Sequence, residues 1–277
     1  DDALRDKDNI YALIQGIGLS NDMRGNLLAP DSEGQVRAMR SAYADAGWSP
    51  QDIDLIECHG TGTLVGDAIE LQSLRSLWDE PGWSPGQCAI GSIKSMIGHL
   101  LTGAGAAGMI KILLALKHKI LPPSINFNRA PVKSPLHNSP FRVQTQAEQW
   151  IRKDIDTPLR AAVSAFGFGG INSHLLFEEW DHEIENCRVK IADCQSSIFN
   201  SQSSILNRQS SIKKLPVAII GMASVLGSLK SLKELQETIF RGESIITKRP
   251  GNRWNGCDVI ADSLLDGRAA WGGFMDE

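Results

Sequence analysis

A cysteine and a histidine stand side by side in the stretch ECHGTGTLVGD, at positions 57–67. A thiol beside an imidazole suggests a nucleophile and its base. Adjacent side chains on a strand point to opposite faces, however, so Cys58 and His59 cannot easily act as such a pair. Cys58 follows the apolar run IDLIE, and we predict that it packs as a small apolar residue. His59 lies where the predicted strand ends, a position that favours catalytic groups.

A second histidine lies in SIKSMIGHLLTGAGAAG at positions 92–108, shortly after a lysine. His99 precedes a helical pattern, and the positive end of a helix dipole favours the neutral imidazole. A neutral imidazole can donate a hydrogen bond to a developing oxyanion. His59, His99 and Lys94 therefore predict enolate or oxyanion chemistry, and we predict no metal site.

Two glycine-rich stretches each allow two interpretations. GAGAAG at 103–108 matches the dinucleotide-binding pattern GxGxxG, but no apolar strand directly precedes it and no acidic residue follows before Glu148. Its small residues instead predict a helix that packs closely on a sheet. AFGFGGINSH at 165–174 forms a turn that carries Phe166 and Phe168. This turn predicts either buried aromatic rings or a mobile gate.

Strand and helix patterns alternate from residue 10 to about 180. Apolar, strand-like runs occur in NIYALIQGIGL, IDLIECH, CAIGSIK and RAAVSAFGFGGINSHLLFEEW. Helical spacing occurs in EGQVRAMRSAYADAG, GDAIELQSLRSLW and GAGAAGMIKILLALKHKI. The alternation predicts a layered α/β domain with a buried sheet. Gly47 is predicted to end the first helix, whose apolar side carries Val36, Met39, Ala42 and Tyr43.

Composition and charge exclude several classes of partner. The 277 residues carry a net charge of -4, and 42% of them are hydrophobic. No basic face is expected, which argues against nucleic acid and anionic membranes. No apolar run reaches the ~18 residues that a membrane helix needs. The five cysteines form no CxxC pair, so we predict reduced thiols in a cytoplasmic protein. Because the chain lacks an initiator Met, we expect it to be part of a larger polypeptide.

The composition changes after Trp180. QSSI recurs at positions 195, 202 and 209, and the repeats lack the paired apolar positions of a coiled-coil heptad. We therefore predict a flexible, Ser-rich linker over 181–214, with a docking helix as the alternative. PVAIIGMAS and SLKELQETIFRG then predict the start of a second α/β unit over 215–277.

Four short motifs carry a resemblance to a known family. They are HGTGT at 59–63, GDAIE at 66–70, KSMIGHL at 94–100 and FGFGG at 166–170. In this order and spacing, residues 1–180 resemble the C-terminal half of a β-ketoacyl synthase. The resemblance implies the thiolase-like layered α/β fold, followed by the incomplete start of a second thiolase-like domain, either a ketosynthase or a chain-length-factor-like unit.

The resemblance also implies catalytic roles. His59 and His99 would polarise a thioester carbonyl during decarboxylation and condensation, and Lys94 would order their network. The family nucleophile is a cysteine in an N-terminal half that would precede Asp1. None of the five cysteines here lies in a matching elbow, so we expect these 277 residues to be inactive alone.

Binding roles follow from the same motifs. Thr61 and Thr63 would face the pantetheine arm of the substrate, Phe168 would be the gating aromatic, and Phe166 would lie beside it. The resemblance implies no cofactor bound covalently to this chain. Acyl and malonyl-type thioesters would instead arrive on the phosphopantetheine of an acyl carrier protein, and a homodimer would form through the missing half.

An alternative function is a non-catalytic thiolase-fold partner, like a chain-length factor, that shapes a dimer and an acyl tunnel. The two histidines and Lys94 favour the condensing enzyme for 1–180. Only the predicted linker at 181–214 separates the unit at 1–180 from the second unit. In proteins with this resemblance, such a short connection is typical of polyunsaturated fatty acid synthases and similar glycolipid synthases.

The missing half has a structural consequence as well. We expect the helix at 103–116 to lose a partner face, which would leave four apolar side chains partly in water: Met109, Ile112, Leu113 and Leu116.

Overall fold

A seven-stranded mixed sheet forms the centre of the protein. The computed structural model describes residues 2–23, 30–78, 82–167, 169–181, 217–248 and 271–272. The strands of this sheet are β1 (Ala12–Asn21), β2 (Leu55–Glu57), β3 (Cys88–Gly91), β5 (Phe141–Val143), β7 (Arg160–Gly167), β8 (Ile171–Glu179) and β9 (Val217–Ile219). Two further pairs join β4 (Ile120–Leu121) to β6 (Glu148–Gln149), and β10 (Thr247–Lys248) to β11 (Trp271–Gly272).

The order of the main sheet is β5-β3-β2-β7-β8-β1-β9. Strands β5, β3, β2 and β7 pair in parallel, whereas β8, β1 and β9 continue the sheet with antiparallel pairing. The predicted strands are therefore confirmed as members of one buried sheet.

The described residues form six α-helices and two short 3-10 helices. The α-helices are α1 (Asp2–Asp6), α2 (Ser32–Ala46), α3 (Leu64–Leu77), α4 (Lys94–Ile97), α5 (Ala104–His118) and α6 (Leu232–Arg241), and the 3-10 helices span Pro50–Asp52 and Leu101–Gly103. The predicted end of α2 is confirmed, because Gly47 adopts the left-handed conformation with φ 68. Met39, Ala42 and Tyr43 of α2 are buried as expected. Val36 is only half-buried. The buried side of α2 instead includes Gln35, whose side chain accepts a hydrogen bond from Ser73 of α3, and Ala38.

The two faces of the sheet have separate apolar cores. Helices α2 and α3 cover one face, where Met39 and Leu74 pack with Ile56 of β2. Helix α5 covers the other face, where Ile112 packs with Leu55 of β2. Because neighbouring residues of a strand point to opposite faces, β2 contributes to both cores. The layered α/β prediction is thus confirmed for the described residues.

Glycines in β1 allow α2 to lie unusually close to the sheet. A Cβ at Gly16 would lie 2.3 Å from the carbonyl oxygen of Ala42, and one at Gly18 would lie 1.8 Å from that of Ala38. Any larger residue would therefore force the helix outward. Helix α2 in turn packs against α3, where the hydroxyl oxygen of Ser73 lies 2.8 Å from Oε1 of Gln35.

The expected exposure of the long helix was wrong for most of its apolar side chains. Ile112, Leu113 and Leu116 are almost completely buried, and only Met109 is partly buried. The reason is that α5 lies against its own sheet and against Trp150 and other residues between the strands. The partner for these side chains therefore comes from the same chain.

Residues 217–248 contribute a strand and a helix that pack onto the first unit. Strand β9 pairs antiparallel with the start of β1, and Ser231 caps α6 by accepting the N–H of Glu234. Leu235 and Ile239 of α6 have no exposed surface. Almost all of the predicted linker at 181–214 lies outside the described residues, so that domain boundary stays a prediction. Among the described residues, no helix has the length and apolar character needed to cross a membrane.

Candidate active site

Three loops meet at the carboxyl ends of parallel strands. Strand β2 leads to His59, its neighbour β3 leads to Lys94 and His99, and its other neighbour β7 ends beside Phe166. The carboxyl ends of adjacent parallel strands share one edge of a sheet, which is where α/β proteins commonly bind ligands. The topology therefore brings together residues that are far apart in sequence.

The loop that carries His59 is bound to helix α3 through carboxylates. The backbone N–H groups of His59 and Gly60 donate to the two oxygens of Glu70, at 2.7 and 2.8 Å. The N–H of Gly62 donates to Asp67 at 3.1 Å. Sequence reasoning identified GDAIE as a family motif but assigned no role to Glu70. The available signal was a pair of acidic residues early in a helix that follows a Gly-rich loop.

Glu70 is almost completely buried beneath this loop. Burial raises the pKa of Glu70 to about 7, and the hydrogen bonds from Gly60 and His59 oppose that rise. Burial likewise raises the pKa of Asp67, again opposed by backbone donors. Asp67 and Glu70 of α3 thus accept the backbone N–H groups of His59, Gly60 and Gly62.

His99 lies on a short turn between α4 and α5. Its Nδ1 accepts a hydrogen bond from the backbone N–H of Leu101 at 3.0 Å. An imidazole nitrogen that accepts carries no proton, so the proton of neutral His99 lies on Nε2. The side chain is exposed. His99 can therefore present an N–H donor to a ligand.

The structure brings the two predicted histidines together. The ring centroids of His59 and His99 are 5.4 Å apart, with an edge-to-face angle of 82°. The ring of buried Phe166 lies 5.8 Å from that of His59. Nδ1 of His59 is buried and has no hydrogen-bond partner among the described residues. Phe168 lies outside the described residues, so its gating role stays a prediction.

Both histidines favour the neutral state. Burial lowers the pKa of His59 to about 4, with smaller contributions from the positive charge of Lys94 and from His99. The partial burial of the largely exposed His99 also lowers its pKa, and the positive charge of Lys94 adds a smaller contribution. The expected neutral form of His99 therefore has a cause other than the helix dipole proposed from the sequence.

Lys94 is itself perturbed. Burial lowers its pKa, while the negative charges of Glu57 and Glu70 oppose that effect, Glu57 more strongly. The candidate catalytic groups and two buried carboxylates therefore form one electrostatically coupled set.

The two predicted threonines lie on the loop between His59 and α3. The hydroxyl oxygens of Thr61 and Thr63 are 3.0 Å apart. Thr63 also caps α3, because its hydroxyl accepts the N–H of Gly66 at 3.2 Å. Thr63 thus has a structural role in addition to its predicted contact with pantetheine, which stays a prediction.

The cysteines that the structure describes are not suited to nucleophilic attack. Cys58 is 7% exposed and packs in the core beneath α2 and α3. Burial raises the pKa of the Cys58 thiol well above its usual range, and it raises that of Cys88 as well. Cys187, Cys194 and Cys257 lie outside the described residues. The packing role predicted for Cys58 is therefore confirmed.

Comparison with known proteins gives a consistent result. Residues 11–128 match the family model of the β-ketoacyl synthase C-terminal domain. The chain is 44% identical over 189 residues to a polyunsaturated fatty acid synthase protein of Thraustochytrium sp., an alignment that covers 66% of this chain and 7% of that protein. It is 40% identical over 189 residues to "Polyketide synthase PksL" of Bacillus subtilis, covering 68% and 4%. The chain thus spans less than a tenth of these relatives.

Solved structures support the fold. A ketosynthase from module 6 of the bacillaene synthase of Bacillus subtilis has a TM-score of 0.63 and 40% identity, and the match covers 66% of this chain and 34% of that one. Another structure of a module 6 ketosynthase matches 98% of this chain and 46% of its own length, with a TM-score of 0.62 and 29% identity. The thiolase-like fold predicted from the motifs is therefore confirmed.

Proposed function

Residues 11–128 belong to the family of β-ketoacyl synthase C-terminal domains, and we propose that this chain is part of an enzyme that catalyses decarboxylative Claisen condensation. The substrates would be an acyl thioester and a malonyl-type extender thioester. The observation that carries the proposal is the pair of neutral histidine rings 5.4 Å apart at the carboxyl edge of the sheet.

The proposed chemistry requires stabilisation of negative charge on a thioester oxygen. When the malonyl group loses carbon dioxide, the electron pair of the broken bond passes to the α-carbon and the carbonyl oxygen. Neutral His59 and His99 would donate hydrogen bonds to that oxygen, and the charge of Lys94 would favour the same anion. The enolate carbon would then attack the carbonyl carbon of an acyl–cysteine thioester. The C–S bond breaks as the tetrahedral intermediate collapses, and the cysteine leaves as a thiolate.

His99 is well prepared for this role. Because its Nδ1 accepts the N–H of Leu101, its Nε2 carries the proton and is available as a donor. The low pKa of His59, about 4, keeps that ring neutral at physiological pH. Donors that are in place before the reaction need little reorganisation as charge develops.

The partners follow from the substrates. We propose that both thioesters arrive on the phosphopantetheine of an acyl carrier protein, that Thr61 and Thr63 contact this arm, and that no cofactor is bound covalently to this chain. We further propose a cytoplasmic homodimer whose cysteine elbow lies in a separate N-terminal half. The alternative of a non-catalytic, chain-length-factor-like partner is less well supported, since both histidines and Lys94 are present.

The test uses this chain joined to a ketosynthase N-terminal half that carries the cysteine. His59→Ala and His99→Ala should each reduce condensation by about 100- to 1,000-fold, since each removes one oxyanion donor. Acylation of the cysteine, measured by mass spectrometry with an acyl-carrier thioester, should partly survive. The 277 residues alone should show no condensation. Normal product formation by His99→Ala would contradict the proposal.

A further inference from the structure

A buried ion pair joins helix α5 to the end of the strand that leads to His59. Nζ of Lys111, on α5, is 2.6 Å from Oε2 of Glu57, at the end of β2, and the side chains are only 1% and 2% exposed. Removing two charges from water costs several kcal/mol, so a buried ion pair is weak support for stability. The condensation chemistry described above assigns no role to either residue.

The second oxygen of Glu57 makes a connection across the site. Oε1 accepts the backbone N–H of Ile93 at 2.6 Å. Ile93 directly precedes Lys94 at the start of α4, and Glu57 lies only two positions before His59. The Glu57 carboxylate therefore connects the strand that leads to His59 with residues 93–99, which include α4 and the turn of His99 (the Lys94–His99 turn).

Helix α5 is shaped to receive this carboxylate. A Cβ at Gly108 would lie 2.9 Å from Cγ of Glu57, which is closer than carbon atoms normally approach. The GAGAAG stretch, in which the sequence argues against a dinucleotide site, thus provides the space for Glu57 between helix and sheet.

We propose that Glu57, held by Lys111, is a positioning residue that fixes the Lys94–His99 turn relative to His59 through the N–H of Ile93. Its negative charge also favours the protonated state of Lys94. The inference rests on the proposed condensation and adds a residue to it. Lys111 binds Oε2 of the carboxylate, which leaves Oε1 to accept the N–H of Ile93.

A matched pair of double variants tests the hydrogen bond itself. Glu57→Gln with Lys111→Met removes both buried charges but keeps an oxygen that can accept the Ile93 N–H. Glu57→Met with Lys111→Met removes the charges and the acceptor with a side chain of similar size. Neither variant leaves an unpaired buried charge, which a single substitution would do at a large cost in stability.

The joined, complete ketosynthase is the protein to measure. The variant with Glu57→Met and Lys111→Met (Met/Met) should catalyse condensation about ten- to a hundredfold more slowly than the variant with Glu57→Gln and Lys111→Met (Gln/Met). A small displacement of catalytic groups has effects of this size. Cysteine acylation should differ by no more than about twofold, since it does not require the turn to be placed for decarboxylation. In hydrogen exchange, residues 93–100 should exchange faster in Met/Met, whereas residues 59–67 should not.

Equal condensation and equal exchange of 93–100 in the two variants would overturn the proposal. Hydrogen exchange needs no turnover, so it still decides the question if even the wild-type protein does not condense, in which case the proposed function has failed separately. If the Glu57→Met/Lys111→Met variant does not fold, hydrogen exchange of the wild-type protein tests the proposed bond instead. The Ile93 amide should then exchange as slowly as the amides of β2, and rapid exchange would refute the proposed bond.

Discussion

The loop of His59 and the turn of Lys94 and His99 lie side by side but are held by different kinds of contact. The His59 loop is bound by Asp67 and Glu70, both on the helix that follows it in sequence. The turn is bound by Glu57 from an earlier strand and by Ile245, whose N–H donates to the carbonyl of Met96 at 3.0 Å.

The His59 loop is therefore held by local contacts, whereas the Lys94–His99 turn is held by tertiary contacts. The His59 loop and α3 can form together from one continuous stretch of chain, because donors and acceptors are at most 11 residues apart. The turn receives support from residues up to 149 positions away. The difference predicts that perturbations far from the site will disturb His99 while leaving His59 in place.

Leu235→Ala should produce the largest difference between the Lys94–His99 turn and the His59 loop. Leu235 of α6 is completely buried against Met96, Ile97 and other residues around the turn. A Leu-to-Ala change in such a core destabilises a protein by about 2–5 kcal/mol. Urea unfolding should show this loss, and hydrogen exchange should accelerate at 93–100 but not at 59–67.

Leu74→Ala provides the opposite case. Leu74 is also completely buried, but it lies on α3 in the core beneath the His59 loop. Its substitution should cost a similar free energy of unfolding and should accelerate exchange at 59–67. Identical exchange patterns in the two variants would mean that both parts of the site are held as a single unit.

Thr63→Ala should have a smaller effect, confined to the local structure. The substitution removes the cap of α3, so the free energy of unfolding should fall by about 1 kcal/mol. Thr63→Ser keeps the hydroxyl and should restore most of it, as thermal unfolding can measure. If both variants were as stable as the wild type, the cap bond to Gly66 would not contribute to stability.

Lys94→Met should change the pKa values of the histidines rather than the fold. Because the positive charge of Lys94 lowers the pKa of both His59 and His99, its removal should raise both. The pKa of His59 should rise from about 4 but stay below its usual range, because burial is the larger cause.

NMR titration of the histidine side chains measures this shift. Lys233→Met, on the exposed side of α6, is the control and should change neither pKa. A downward shift of either histidine in Lys94→Met, or no shift at all, would contradict the electrostatic coupling.

Much of the fold could be predicted because its signals are local. The apolar runs identified β1, β2, β3, β7 and β8, and Gly47 marked the end of α2. The burial of α5 could not be predicted, since it depends on Trp150 and on strands that approach from elsewhere in the chain. Periodicity shows that a helix has apolar side chains but does not show which surface covers them.

The sequence by itself determined which groups are available for chemistry. Residue type and position on a strand excluded Cys58 as a nucleophile and selected His59, because alternation along a strand is a local property of the backbone. The spacing of Asp67 and Glu70 in GDAIE likewise places both carboxylates on one side of a helix, because residues three apart are neighbours on a helix surface.

Only the tertiary structure decided how these groups act together. The 5.4 Å separation of the two histidine rings results from the parallel pairing of β2 with β3. The bond from Ile93 to Glu57 and the burial of Lys111 depend on how α5 lies across that sheet. Such contacts join residues that are distant in sequence, and their energies depend on burial, which no single stretch of sequence contains.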